Sequence, residues 1–173
     1  EMSPGLYLRR LTRHRNNIVY TKYIVSKVGI ADLASRKLKE FALPPVPAPY
    51  YISSNFGPID ILSVGSNVWL SSASSGAIAR FNPRTRKGTY LRTSNTKVAL
   101  ASERLAKDTS NRVWARCFIK QHTSGLTPPV DPGLARISTR GRRPRVEYWI
   151  LPIEFLVPYG LWTDDADNIW FTV

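Results

Sequence analysis

Asn67-Val68-Trp69-Leu70-Ser71 decides the fold, because three other segments of the chain repeat it. They are Asn17-Ile18-Val19-Tyr20-Thr21, Arg112-Val113-Trp114-Ala115 and Asn168-Ile169-Trp170-Phe171-Thr172, with successive starts 50, 45 and 56 residues apart. Downstream of the first three lies a second matching piece: Val28-Gly29-Ile30-Ala31-Asp32, Ile78-Ala79-Arg80-Phe81-Asn82 and Leu134-Ala135-Arg136-Ile137-Ser138. A third piece, Leu38-Lys39-Glu40-Phe41-Ala42-Leu43-Pro44, is echoed by Val146-Glu147-Tyr148-Trp149-Ile150-Leu151-Pro152. A fourth precedes the aromatic segment: Pro49-Tyr50-Tyr51-Ile52 and Pro158-Tyr159-Gly160-Leu161, with Pro4-Gly5-Leu6 as a weaker copy. Four pieces recurring in one order mark a repeat architecture.

Each piece is β-branched or aromatic and is bounded by Gly, Pro, Asn, Asp or Ser, which is the pattern of a strand between turns. Four strands in about 45 to 55 residues, repeated, form the blade of a β-propeller. The first repeat predicts strands near 5–9, 18–22, 27–32 and 37–42, and the second near 50–54, 68–72, 78–82 and 88–92. The third predicts 97–101, 112–118, 134–138 and 146–151, and the fourth only an inner pair, 159–163 and 169–173. No helical period of 3.6 persists for about ten residues. The expected fold is therefore all-β, a partial propeller of about three and a half four-stranded blades. It forms a single domain over 1–173, with repeats at approximately 1–44, 45–94, 95–152 and 153–173. A half-blade leaves a strand edge and Trp-rich faces uncovered. The expected complement is the remaining blades of a longer parent chain, or else a second copy.

Composition narrows the function classes. Hydrophobic residues are 43 % and aromatics 11 %, as in a globular chain. No stretch approaches the roughly 20 apolar residues of a membrane-spanning helix. Glu1-Met2-Ser3-Pro4 lacks the basic patch and apolar run of a signal peptide, and the compartment stays open. Cys117 is the single cysteine, so neither an intrachain disulfide nor a cysteine-based metal site is possible. His14 and His122 are the two histidines. The net charge of +13 favours an acidic partner, such as a polyanion or an anionic membrane surface.

The run from Val19 to Pro44 (VYTKYIVSKVGIADLASRKLKEFALP), together with Pro-Tyr-Gly-Leu at 158–161 and Asn-Ile-Trp-Phe-Thr at 168–172, resembles the virginiamycin B lyase (streptogramin lyase) family. The resemblance implies a seven-bladed propeller. It also implies a magnesium-dependent carbon–oxygen lyase that opens a cyclic depsipeptide by elimination. In that chemistry a base removes the proton beside the ester carbonyl and magnesium stabilises the enolate-like charge. Relatives place Glu after the Trp-Phe-Thr motif, where this chain has Lys22, Ser72, Cys117 and Val173. Some place His after the Pro that opens the innermost strand, where this chain has Tyr50 and Tyr159. No catalytic residue and no metal ligand is therefore assigned, and magnesium enters only with the lyase reading.

Blade geometry assigns the charged residues to faces. The turns between strands three and four hold Ser35-Arg36-Lys37, Arg84-Thr85-Arg86-Lys87 and Arg140-Gly141-Arg142-Arg143-Pro144-Arg145. The first turn between strands one and two adds Arg10, Arg13, His14 and Arg15, so one face is expected to carry a basic rim that docks on an anionic surface. Asp164, Asp165 and Asp167 fall on the same face. Trp69, Trp114 and Trp170 are expected to pack between blades. Tyr50 and Tyr159 are expected on innermost strands near the channel. Lys120, Gln121 and His122 sit in an insertion, Cys117 to Pro132, on the opposite face. Those five are the candidate ligand contacts. The leading expectation is a scaffold holding a small molecule or protein, and the alternative is the lyase.

Overall fold

The computed structural model describes residues 8–47, 56–72, 75–91, 98–120, 130–139, 144–152 and 158–172. All its regular elements are strands. The first sheet has four antiparallel strands in chain order: β1 (Leu8–His14), β2 (Asn17–Lys22), β3 (Lys27–Asp32) and β4 (Leu38–Ala42). The second repeats that order with β5 (Ile61–Val64), β6 (Asn67–Leu70), β7 (Ile78–Asn82) and β8 (Lys87–Leu91). The third runs β10 (Leu105–Lys107), β11 (Val113–Lys120), β12 (Val130–Ile137) and β13 (Val146–Ile150), and β9 (Val98–Ala99) also pairs with β11. β14 (Leu161–Thr163) and β15 (Ile169–Phe171) make the fourth. The first strands of successive sheets adjoin, β1 beside β5, β5 beside β10 and β10 beside β14, which is the stacking of blades about an axis.

The repeat is exact in register. Val19 lies opposite Ile30, Trp69 opposite Arg80 and Trp114 opposite Arg136, so the three occupy one place in consecutive sheets. Side chains alternate across each strand, which lets the second sheet bury both faces. Val68, Leu70, Ala79 and Phe81 pack with Val19, Val28, Leu43 and Val46 of the first sheet's unit. Trp69, Val64 and Ile78 pack with Val113, Ala115 and Ile137 of the third. Each fully buried aliphatic side chain contributes roughly 1.5–3 kcal/mol, so these two seams hold the array together.

Several expectations need correction. The first strand of the second sheet is Ile61–Val64, and the expected 50–54 lies outside the described residues. A two-residue turn at Gly65-Ser66, with Gly65 at φ +61°, pairs Val64 with Asn67 and fixes that strand. In the third sheet the inner edge is split. β9 pairs Ile119 and Phe118, β10 pairs Ala115 to Val113, and residues 100–104 leave the edge between them. Leu105 to Lys107, outside every predicted strand, form β10. Cys117 to Lys120 and Val130 to Pro132 extend the β11–β12 pair instead of forming an insertion loop. The interblade tryptophans also differ: Trp69 is 1 % exposed, Trp114 half-buried and Trp170 50 % exposed.

Candidate functional site: a basic groove between two blades

The turns between strands three and four are built alike. Asp32 Oδ1 accepts the N–H groups of Ala34 (2.9 Å) and Ser35 (2.8 Å). Asn82 Oδ1 accepts those of Arg84 (3.0 Å) and Thr85 (3.1 Å) in the same way. Short Asp and Asn side chains favour such turns because they replace a backbone acceptor. Each turn then passes through a left-handed residue, Arg36 (φ 55°) and Arg86 (φ 60°). Arg36, Lys37, Arg84, Arg86 and Lys87 are all exposed, while the Arg86 guanidinium also lies 5.5 Å over the Phe41 ring.

Two cavities open where these turns meet the β1–β2 turn. One, of about 440 Å³, is lined by His14, Arg15, Asn17, Ser66, Asn82, Pro83 and Arg84. The other, of about 230 Å³, is lined by Asn17, Ile30, Asp32, Ser35, Lys37, Lys39, Phe41, Pro83 and Arg86. Asn17 and Pro83 line both, so together they make one groove between the first and second sheets with five cationic side chains along it. His14 is buried and its Nδ1 lies 2.9 Å from Ser63 Oγ. Burial, and then the Arg15 charge, lower its pKa, which keeps the imidazole neutral near pH 7. Asp32 is the carboxylate in the groove, and the turn N–H groups hold it ionised and engaged.

The other candidates are placed as follows. Tyr159 is exposed just before β14, its N–H donating to Thr172 O. Lys120 ends β11 opposite Val130. Arg13 and Arg15 flank the β1–β2 turn, and Arg145 is exposed with its N–H on Ser138 Oγ (2.7 Å). Tyr50, Gln121, His122, Arg140, Arg142 and Arg143 lie outside the described residues.

At the far end of the axis are two buried charges that sequence reasoning missed. Asp60 Oδ2 accepts the Leu105 N–H (2.8 Å), and burial raises its pKa against the pull of that bond. Arg116 donates from Nε to Ala101 O (2.8 Å) and from Nη1 to Pro158 O (3.0 Å). Both tie blades together. Of the positions that match the lyase motif, Lys22 is buried against Glu40 (3.0 Å) and the Ser72 hydroxyl accepts the Ser75 N–H (3.2 Å). Burial pushes the Cys117 thiol up to about 12, which leaves it unreactive. Among the described residues no group of three or more His, Cys, Asp or Glu side chains is placed to hold a metal ion.

No family profile and no curated protein matches the sequence. Solved structures match its shape. A protein described as a gluconolactonase aligns over 98 % of this chain and 72 % of its own, with 9 % identity and a TM-score of 0.53. The chain is a partial β-propeller. Regucalcin, a calcium-binding protein from Agrobacterium tumefaciens str. C58, aligns over 99 % of this chain and 68 % of its own, at 13 % identity and a TM-score of 0.47. A protein described as a conserved lipoprotein from Clostridium novyi NT aligns over 87 % and 91 %, at 12 % identity and a TM-score of 0.49. At these identities the propeller is established as a scaffold, and its activity has to be argued from its own residues.

Proposed function

We propose that this propeller is a binding scaffold whose basic groove holds the sulfate or phosphate groups of an anionic partner. The observation that carries this reading is the convergence of Arg15, Lys37, Lys39, Arg84 and Arg86 on one continuous groove between two rigid sheets. Guanidinium and ammonium groups spaced along a groove match a chain of anions better than a single small ligand. Binding of this kind releases counterions, so affinity falls steeply with added salt.

The test is titration with a heparin oligosaccharide across a salt series. Arg84→Glu and Lys37→Glu are each expected to weaken binding and to lower the salt slope by about one. Affinity that ignores salt, or that ignores both substitutions, would overturn the proposal. The lyase reading rests on the resemblance alone. Magnesium-dependent opening of a cyclic depsipeptide by this chain would displace the binding reading.

A further inference from the structure

The first two sheets repeat each other at the hairpin of their first two strands, and they part at two neighbouring positions. His14 pairs with Asn17 across a two-residue turn, as Val64 pairs with Asn67 across the next one. Val64 is an aliphatic core residue, whereas the first sheet buries an imidazole in its place, 4 % exposed. The following position is Gly65 at φ +61° in the second sheet and Arg15 at φ 56° in the first. A residue other than glycine in that left-handed region carries strain, which is tolerated where a site requires it. Both departures line the cavity of about 440 Å³, together with Arg84 from the β7–β8 turn.

The surroundings of His14 let it change charge in place. Its Nδ1 lies 2.9 Å from Ser63 Oγ, a hydroxyl that donates to the neutral ring or accepts from the charged one. A carboxylate partner would instead hold the ring charged. β5 supplies no charged side chain, and β2 sets Asn17 opposite His14. On its own strand Arg13 precedes it, with Nε donating to Arg15 O (3.3 Å). Among the described residues the charged groups lining the cavity are Arg15 and Arg84, with Asp32 opposite Asn17 on β3. The Ser35 and Ala34 N–H groups hold the Asp32 carboxyl low, so it stays ionised. Lys37, Lys39 and Arg86 line the adjoining cavity. Burial, and then Arg15, disfavour the imidazolium. An anion held by Arg15 and Arg84 reverses the second of these and favours the charged ring.

We propose that the groove takes up a proton at His14 when it binds its anionic partner, and so grips that partner more tightly in acid than at neutral pH. This rests on the anion-binding reading and adds to it a regulator of the same site. The sign follows from linkage. A ligand that binds the protonated form better raises the pKa of His14, and lowering the pH then strengthens binding. Histidine suits the role because its ordinary titration falls between about pH 5 and pH 8.

Titration with the heparin oligosaccharide at constant ionic strength tests it, since the sulfate charge of that probe does not vary over the range used. The wild-type chain is expected to bind about fivefold tighter at about pH 5 than at about pH 7.5. His14→Gln is expected to bind equally at both, and His122→Gln to respond as the wild type does. Because His14 is buried, a measurement on the unaltered chain accompanies the variants. The imidazole NMR signal of His14 is expected to titrate at higher pH with heparin bound than without it. Salt-dependent binding that ignores pH, a pH response that survives His14→Gln, or an imidazole midpoint that does not move would each overturn the coupling and leave the anion-binding reading standing. No heparin binding at either pH would overturn both.

Discussion

Trp69 and Trp114 occupy the same place in consecutive sheets, yet the chain treats their indoles in different ways. In the second sheet β5 and β6 are joined by two residues, and Trp69 Nε1 has no hydrogen-bond partner among the described residues. In the third sheet the longer turn brings Asp108 round to accept Trp114 Nε1 (2.9 Å), Arg112 N (2.8 Å) and Arg112 Nε (2.6 Å). The fourth sheet repeats the device, with Asp164 Oδ2 accepting Trp170 Nε1 (2.9 Å) and Asn168 Nδ2 (2.9 Å). Asp108 and Asp164 each stand six residues before their tryptophan. Where packing is complete, the sheet tolerates an unpaired donor at a cost of about 1–3 kcal/mol. Where packing is thinner, an aspartate fixes the ring. Contact area and hydrogen bonding thus substitute for one another at a single repeat position.

Trp69→Ala should break the comparison hardest. Losing a fully buried aromatic is expected to cost about 3–5 kcal/mol in denaturant unfolding. Asp108→Ala removes one buried carboxylate and leaves three donors behind, so a loss of about 1–3 kcal/mol is expected. Burial alone would raise the Asp108 pKa, but the Trp114 indole and Arg112 outweigh it and hold it low. Asp164→Ala should have the smallest effect, below that of Asp108→Ala, because the turn is exposed. Its contribution is sharpened by pH. The Trp170 indole, then Asn168, hold the Asp164 carboxyl down to about 2 from the ordinary 3.8. A depressed carboxylate stabilises above its unfolded pKa and loses that contribution as pH falls through the folded one. Trp170 fluorescence should therefore change between about pH 4 and pH 2, and Asp164→Ala should abolish that step.

The repeat itself was legible because the second strands carry Asn-x-Trp or a one-residue variant of it, and the third strands of the first three blades an aliphatic piece at a similar place after it. First strands were harder. Pro49-Tyr50 copies Pro158-Tyr159 in sequence, and that echo drew the second blade's inner strand about ten residues too early. The stronger signal was Gly65-Ser66 between two apolar pairs, a tight-turn pattern. The split inner edge of the third sheet has no sequence mark, since residues 100–104 read as a plain continuation of Val98-Ala99. Arg15, Lys37, Arg84 and Arg86 could be assigned to one face from strand alternation alone. Lys39 could not, because its membership of the groove depends on lying opposite Ile30 on the side turned to the second sheet. Arg116 carried a faint signal, a cation inside the otherwise apolar strand Val113–Phe118.

That arginine has a consequence for how the array comes apart. Its guanidinium stays protonated and is tied to Ala101 O and Pro158 O, and its own N–H donates to Ser102 Oγ (3.0 Å). Ser102 N in turn donates to Ser72 O, and Leu105 N to Asp60. Losing either the Ala101 or the Pro158 carbonyl leaves the buried guanidinium short of a partner away from water, so these two ties are expected to release together. The junction of three blades is accordingly expected to open as a unit, with the amide protons of Ser102, Leu105 and Arg116 exchanging with solvent in one shared event.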